Sequence, residues 1–405
     1  MRKMELLAPA GDLEKLKIAV DYGADAVYFG GEAFSLRAGA GNLTIEEMRE
    51  GIEYAHERGV RCHLTLNIFP HNEDLKPLRA YIREVAPLKP DAFIVSDPSV
   101  IILLKEEVPG YEIHLSTQAN MTNCMTAEFW RRQGVSRIVL ARELSLEEIG
   151  EIRKNLSDDV ELECFGHGAM CISYSGRCLL SNFMTGRDAN RGACAHPCRY
   201  SYRLEEAKRP GEYWPIEEDS RGTYIMNSKD LCMLEHIGDL HRAGVASLKI
   251  EGRMKSIFYV AHVIKAYRQA IDAFYEGREP DPGIMEEMCK ASHREFTTGF
   301  YYSRPGDEGQ NYLSSAYTRD YSFLALVRKY DPDSGMAVLE QRNKIEIGDR
   351  VELFGPEGDF FTQTVNEMYD EEGEAISAAP HPQQTVRISM VQPVGESWMM
   401  RKENK

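Results

Sequence analysis

The chain has 405 residues, a length that suggests two or three domains, and its 43% hydrophobic content is ample for a core. A formal net charge of −16 disfavours unspecific nucleic-acid binding by the whole surface. The opening residues, MRKMELLAPAGD, hold too short an apolar run for a signal peptide, and no stretch approaches the roughly 20 apolar residues of a membrane span. A cytoplasmic protein with no membrane partner and reduced thiols is therefore expected. The odd count of nine cysteines also argues against a closed disulfide set.

In chain order, four passages look alike: DYGADAVYFGG (21–31), ERGVRCHLTLN (57–67), RQGVSRIVLAR (132–142) and RAGVASLKIEG (242–252). Each ends a helix with glycine at the position where a left-handed residue is needed, then enters a short apolar run typical of a buried strand. MELLAPA (4–10), DAFIVSD (91–97), EIHLSTQ (112–118) and VELECFG (160–166) fit the same role without the glycine. Helical patterns such as LEKLKIAVDYG and IEEMREGIEYAHERG alternate with these eight runs. Eight β-α repeats predict an α/β fold, a closed (β/α)8 TIM-like barrel. An open doubly wound sheet would need a phosphate-binding glycine loop after the first strand, and Ala8-Pro9-Ala10-Gly11-Asp12 is not one.

Strand ends of such a barrel converge on one face. They supply Asn67, Asp97, Gln118, Arg142, Glu143, His167, Glu251 and Arg253. Arg142, Glu251 and Arg253 stand out, because charges that follow buried apolar runs need partners. His167, Glu251 and Arg253 are candidate catalytic groups; Asn67, Gln118, Arg142 and Arg253 are candidate substrate contacts.

About 78 residues separate strands seven and eight, far more than a βα loop needs. This insertion (168–246) contains Cys171, Cys178, Cys194 and Cys198, spaced C-x6-C-x15-C-x3-C. Its stretch 171–209 carries seven basic residues against three acidic ones, a basic island on an acidic protein. Structural zinc favours close cysteine pairs in both halves, and only Cys194 and Cys198 offer one. Uneven loops suit an iron–sulfur cluster better. Zinc and no metal at all stay open, as does Cys232 as a substitute ligand. Cys62, Cys124, Cys164 and Cys289 read as buried hydrophobes. A β-pair is expected around Tyr200–Leu204 and Tyr213–Ile216, then a helix capped by Asn227 or Ser228.

The barrel should close with a long amphipathic helix over 258–277 and end near 280. A linker and short helix follow (281–320). From there FLALVRKY, MAVLEQR, DRVELFG, FFTQTVNEMY and TVRISMV alternate with turns, predicting a small all-β barrel over 321–398.

The run Glu163-x-Phe165-x-x-Gly168-Ala169-Met170-Cys171-x4-Gly176-x-Cys178-x-Leu180-Ser181 resembles the signature of the collagenase-like family called peptidase U32. The likeness extends through ELLAPAG, SLKIEGR, QRNKIEIGD and PHPQQ, over essentially the whole chain. It implies more than proteolysis. One branch of similar length resembles prephenate-dependent enzymes that hydroxylate the wobble uridine of tRNA to 5-hydroxyuridine. Another acts on a ribosomal RNA cytidine, and a third holds [4Fe–4S] clusters through four cysteines. Cys171, Cys178 and Cys194 map onto such ligands, with Cys198 the choice for the fourth.

The resemblance thus points to a tRNA hydroxylase with a [4Fe–4S] cluster and prephenate as co-substrate. The basic island would meet the anticodon loop of tRNA, and Tyr174, Tyr200, Tyr202 or Phe183 would stack on an extruded base. Arg142, Arg177 or Arg253 would clamp a dicarboxylate. Two alternatives remain. One is a U32-type protease using Cys171 or Cys178 with His167, although neither HExxH nor GxSxG occurs. The other is a non-catalytic cluster-bearing scaffold whose acidic β-module docks a partner protein.

Overall fold

The computed structural model describes residues 3–35, 42–170, 178, 180–187, 194–199, 203–205, 213–215, 228–305 and 318–404. Cys171, Tyr174, Arg177, Tyr200, Tyr202 and Asn227 lie outside them. The first half alternates β1 (Glu5–Pro9), α1 (Leu13–Asp21), β2 (Ala26–Phe29), α2 (Ile45–Glu57), β3 (Arg61–Leu66), α3 (Leu75–Val85), β4 (Ala92–Val95), α4 (Pro98–Glu107), β5 (Glu112–Leu115), α5 (Cys124–Arg132), β6 (Arg137–Val139), α6 (Leu146–Lys154) and β7 (Glu161–Ala169). The side chains of Asp12, Thr44, Asp97, Asn123 and Ser145 cap the helices that follow them. Thr44 with Glu47 and Ser145 with Glu148 form complete capping boxes. Asp97, expected at the rim, is spent on its cap: it accepts from the Ser99 amide at 2.8 Å and the Ser99 hydroxyl at 2.6 Å.

The insertion follows, with α7 (Leu180–Thr185), β8 (Arg203–Glu205), β9 (Tyr213–Pro215) and β10 (Asp230–Cys232). Then come α8 (Ile237–Arg242), β11 (Ser247–Ile250) and α9 (Ile257–Tyr275). Strands β1 to β7 pair in parallel order, and β11 pairs with both β1 and β7, closing the eight-stranded barrel. Gly23, Gly59, Gly134 and Gly244, the expected helix-ending glycines, take φ from +73° to +101°.

Two local expectations in the insertion meet different outcomes. The β-pair forms, with Leu204 opposite Trp214. The predicted helix does not open at 228. Residues 230–232 instead pair antiparallel with the tail of β7, Cys232 opposite His167, and α8 begins only at Ile237. Strand β7 continues to Ala169, past its barrel neighbours, and its exposed edge recruits the returning chain.

After α10 (Ile284–Cys289) and β12 (Phe296–Thr297), the chain forms β13 (Tyr321–Asp331), β14 (Met336–Gln341), β15 (Ile345–Glu346), β16 (Arg350–Phe354), β17 (Phe361–Thr364), β18 (Met368–Tyr369), β19 (Ala378–Ala379), β20 (Thr385–Ser389) and β21 (Met399–Glu403). Seven of these strands make one sheet in the order β17-β16-β21-β13-β14-β20-β18. The domain thus reaches Glu403, beyond the expected 398, and it is a half-barrel rather than a closed barrel. One set of its side chains, including Val327, Leu339 and Val386, builds a core of its own. Another set, Leu326, Phe354 and Met399, joins the core of the (β/α)8 barrel.

Helix α9 is the element between the domains, and it is buried far beyond one stripe. Phe258 stacks on Phe323 at 5.3 Å, and His262 lies 4.3 Å from Phe354. Arg401, fully buried, bonds His262 Nε2 at 2.7 Å, Glu287 at 2.8 Å and Glu352 at 2.7 Å. Removing one member of such a buried group leaves the others unpaired. Arg401→Ala should therefore destabilise the protein by about 3 kcal/mol, measured as a lowered unfolding midpoint in denaturant. A shift within error of zero would contradict this.

Four buried histidines are held neutral. Burial, with the His114 ring 4.7 Å away, pushes His63 well below 6.5. Burial and Arg137 do the same to His114, outweighing Glu112 at 3.2 Å, and burial with Arg401 does so to His262. Burial holds His167 at about 3. In the unfolded chain these rings protonate near about pH 6.5, so below that pH the unfolded state binds more protons and stability falls as pH falls. At about pH 5 each ring contributes a loss of up to about 2 kcal/mol. Burial would raise Glu5, but Arg137 overrides it and sets it at about 2 against 4.5, adding to the loss below pH 4.5. Calorimetric melting temperatures should stay level above about pH 7 and drop steeply between about pH 6.5 and 5; a flat profile would refute this account.

Candidate functional site

A cavity of about 820 Å³ opens at the C-terminal ends of the barrel strands. Three parts of the chain wall it. The barrel gives Tyr28, Asn67, Gln118, Arg142, Phe165, Lys249, Glu251 and Arg253; the insertion gives Cys178, Cys194, His196 and Cys198; the β-domain side gives Arg319, Tyr321, Phe323 and Asn343. Among the described residues six cationic side chains line it (Arg142, Lys249, Arg253, Lys255, Arg294 and Arg319) against one carboxylate, Glu251.

Most of the expected rim meets here. Asn67 Nδ2 donates to Gln118 Oε1 at 2.7 Å, and the Ser96 and Ser116 hydroxyls donate to the same oxygen at 3.2 Å. Gln118 is thereby held on the cavity wall with its amide oriented. Arg142 donates to the Ala169 carbonyl at 3.0 Å, lies 3.8 Å from the Phe165 ring centre and sits 4.0 Å from Glu251. Tyr28 Oη donates to the Ile250 carbonyl at 3.0 Å and lies 3.4 Å from Glu251. Arg253, 3% exposed, donates to Ser35 at 3.0 Å and to Asn42 at 2.6 Å. It braces the β1–β2 side of the mouth while reaching the cavity. Gly168 passes so close to Glu251 that a Cβ there would meet the Glu251 carbonyl at 2.8 Å, at a φ of +112°.

Other expected residues lie elsewhere. His167, a candidate catalytic group, is enclosed by Tyr259, Tyr267 and Phe296 and does not line the cavity. The pairing of β7 with β11 shifts by one residue between Phe165 and His167, which face Lys249 and Ile250, and across this bulge Phe165 and Ala169 line the cavity while His167 lies under α9. Glu143, half-buried with its carboxyl raised by burial, is not a lining residue. Cys232 is buried on β10, 3.7 Å from Tyr267 Oη, with its thiol raised by burial to about 11. It is not among the residues that line the cavity.

Cys178, Cys194 and Cys198 are half-buried thiols on one cavity wall. Ser181, at the start of α7, accepts the Ala195 amide at 2.9 Å and so ties the two cysteine segments together. The His196 amide donates to Cys194 Sγ at 3.4 Å, a bond that suits a thiolate. His196 turns the chain there with φ of 55°. Among the described residues this wall presents thiols and no carboxylate, a donor set that suits iron–sulfur chemistry. The fourth expected ligand, Cys171, lies outside the described residues. Phe183 is 89% exposed on α7, an uncovered ring beside this wall.

The rim reading missed Lys249, because it sits within a strand rather than at its end. Its signal was present: a lysine inside the apolar run ASLKIEG has to find a partner indoors. Among the other cysteines, Cys62 and Cys164 are buried, whereas Cys124 and Cys289 are only half-buried. Cys62 lies beside His56 and Asp91, but Asp91 Oδ2 already accepts the Cys62 amide at 2.7 Å and faces His56 Nε2 at 2.9 Å. That group pins a loop at the far end of the barrel.

Comparison with known proteins adds the following. The chain is 45% identical over 406 residues to the "tRNA hydroxylation protein P1" of Bacillus subtilis (strain 168), spanning 99% of this chain and 95% of the relative. It is 39% identical to the "tRNA hydroxylation protein P" of Escherichia coli (strain K12), spanning 97% and 95%. It is 34% identical to a "Collagenase" of Porphyromonas gingivalis, spanning 90% and 89%. Residues 11–311 match the pattern of peptidase family U32 and residues 319–401 that of the peptidase family U32 C-terminal domain, and the chain belongs to this family.

Proposed function

We propose that this chain hydroxylates tRNA, converting the wobble uridine to 5-hydroxyuridine with prephenate as co-substrate and a [4Fe–4S] cluster as cofactor. The observation that carries this reading is the meeting of three thiols and six cationic side chains on one cavity at the barrel mouth. The names of the tRNA hydroxylation relatives, similar over nearly the whole length, support the same reading.

Each wall has a task. Cys178, Cys194 and Cys198, with Cys171, would hold the cluster, which supplies redox-active iron beside the cavity when bound. The guanidinium groups of Arg142 and Arg253 bind carboxylate by paired N–H donors. Asn67 and Gln118 present fixed amides to the edge of an extruded base. Phe183 offers it an exposed stacking face on the way in. The enclosure around the floor excludes water from whatever is bound there. On the peptidase reading, a cysteine nucleophile needs an adjacent base. His167 is sealed against Tyr267 instead, which removes the base that reading required.

Nucleoside mass spectrometry of tRNA from a strain lacking this chain should show loss of 5-hydroxyuridine and its derivatives, restored by the intact gene. Unchanged levels would sink the proposal. For the cofactor, protein purified without oxygen should contain iron and acid-labile sulfide. Cys178→Ser or Cys194→Ser should remove most of both, whereas Cys232→Ser should retain them. Equal iron in all three variants would show that these thiols hold no cluster.

A further inference from the structure

Lys249 is 5% exposed, yet it reaches the cavity. Its ammonium group lies 3.0 Å from Glu163 Oε1, 4.2 Å from the Tyr28 ring centre and 5.9 Å from the Phe165 ring centre. An ammonium carries three N–H donors. Among the described residues Glu163 is its one hydrogen-bond partner. Glu163 is itself divided, because Ser247 donates to it at 3.2 Å and Arg137 at 3.3 Å. Lys249 therefore keeps donor capacity, with aromatic faces beside it and the cavity beyond.

We infer that Lys249 is a specificity-determining anchor that takes one carboxylate of a small anionic molecule on the cavity floor. This rests on the reading above that the co-substrate is a small carboxylate. The spare donors match the two oxygens of a carboxylate. A phosphate brings a second charge and a third oxygen, for which Lys249 alone has no further donor. An RNA backbone is too bulky to reach a group this deeply enclosed. Arg142, 3.8 Å from the centre of the same Phe165 ring, lies where it can take a second carboxylate of the same molecule. The two cations would then select dicarboxylates of a fixed span over monocarboxylates.

The test is calorimetric titration of the full chain with prephenate and with inorganic phosphate, beside a separate tRNA-binding measurement. Wild-type protein should bind prephenate more tightly than phosphate. Lys249→Met should weaken prephenate about tenfold to a hundredfold, the worth of a charge-assisted bond. It should leave tRNA affinity within about twofold, since that difference is worth under about 0.5 kcal/mol. Glu163→Gln should tighten prephenate severalfold, because it removes the carboxylate that competes for Lys249. A merely structural role for the pair cannot produce that opposite sign. Prephenate affinity unchanged in both variants, or phosphate preferred over prephenate, would overturn the inference. Should Lys249→Met fail to fold, Lys249→Arg, which keeps the ion pair with Glu163 but moves the spare donors, decides alone, and prephenate affinity unchanged in it overturns the inference. Wild-type protein that binds no carboxylate would defeat the co-substrate reading as well; wild-type binding with an indifferent Lys249→Met defeats only this inference.

Discussion

A carboxylate with no exposure to solvent, that of Glu163, stands at the seam where the barrel closes. Lys249 and Ser247 reach it from β11, and Arg137 reaches it from β6. Arg137 also bonds Glu5 of β1, and Ser247 lies 3.0 Å from the same side chain. The charges therefore span β1, β6, β7 and β11, and β11 is the strand that joins the two ends of the sheet. Buried ions add little net stability over apolar packing, but an incomplete set is costly. Slipping β11 by one residue would turn Lys249 and Ser247 away from Glu163. The network thus fixes the register of the closing strand more firmly than apolar side chains of similar shape would.

That register sets the position of everything downstream. Glu251 and Arg253 follow β11 directly and arrive at the mouth beside β7, where Gly168 leaves room for the Glu251 backbone. Helix α9 comes next, and its fixed face receives the half-barrel through Phe258, His262 and Arg401. The β-domain is consequently a wall of the cavity rather than a tethered module, since Tyr321, Phe323 and Asn343 reach the site only if α9 is correctly placed. The insertion completes the enclosure from the other side. One buried carboxylate therefore supports a site built from segments more than 150 residues apart, among them Cys178 and Asn343.

Sequence reasoning located the eight barrel strands because each is an apolar run with a local stop signal, and the glycines at 23, 59, 134 and 244 do adopt the left-handed form. Asn67, Gln118, Arg142, Glu251 and Arg253 were legible as strand ends and line the cavity. His167 was misplaced by the same rule. A strand end gives a position along the axis but leaves the face undecided, and the register shift between Phe165 and His167 breaks the alternation that would have put both side chains on one face. The helix expected at 228 failed for a related reason: the preference of NSKDLCML for helix yields to an unpaired strand edge, which is tertiary information. Closure of the β-domain was equally illegible, because the strand pattern is the same whether the outer face meets water or another domain's helix. Lys249 went unseen because a lone lysine in a strand looks like a solvated one until the barrel is closed around it.

The distribution of charge gives the cavity its selectivity. The chain carries −16 overall, yet among the described residues the cavity walls carry six cations against one carboxylate. A low-dielectric concavity focuses such a field, while the net negative charge of the chain disfavours unspecific attachment of polyanions. Binding of a nucleic acid would then neutralise only the phosphates next to the mouth, so the release of counterions would be small and the affinity modest. On the proposed reading, recognition would accordingly come from what enters the cavity: one base against the amides of Asn67 and Gln118, and one small anion on the floor. A protein that must act at a single nucleotide gains from this arrangement, because weak attachment to the rest of the RNA leaves the contents of the cavity to decide whether a complex persists.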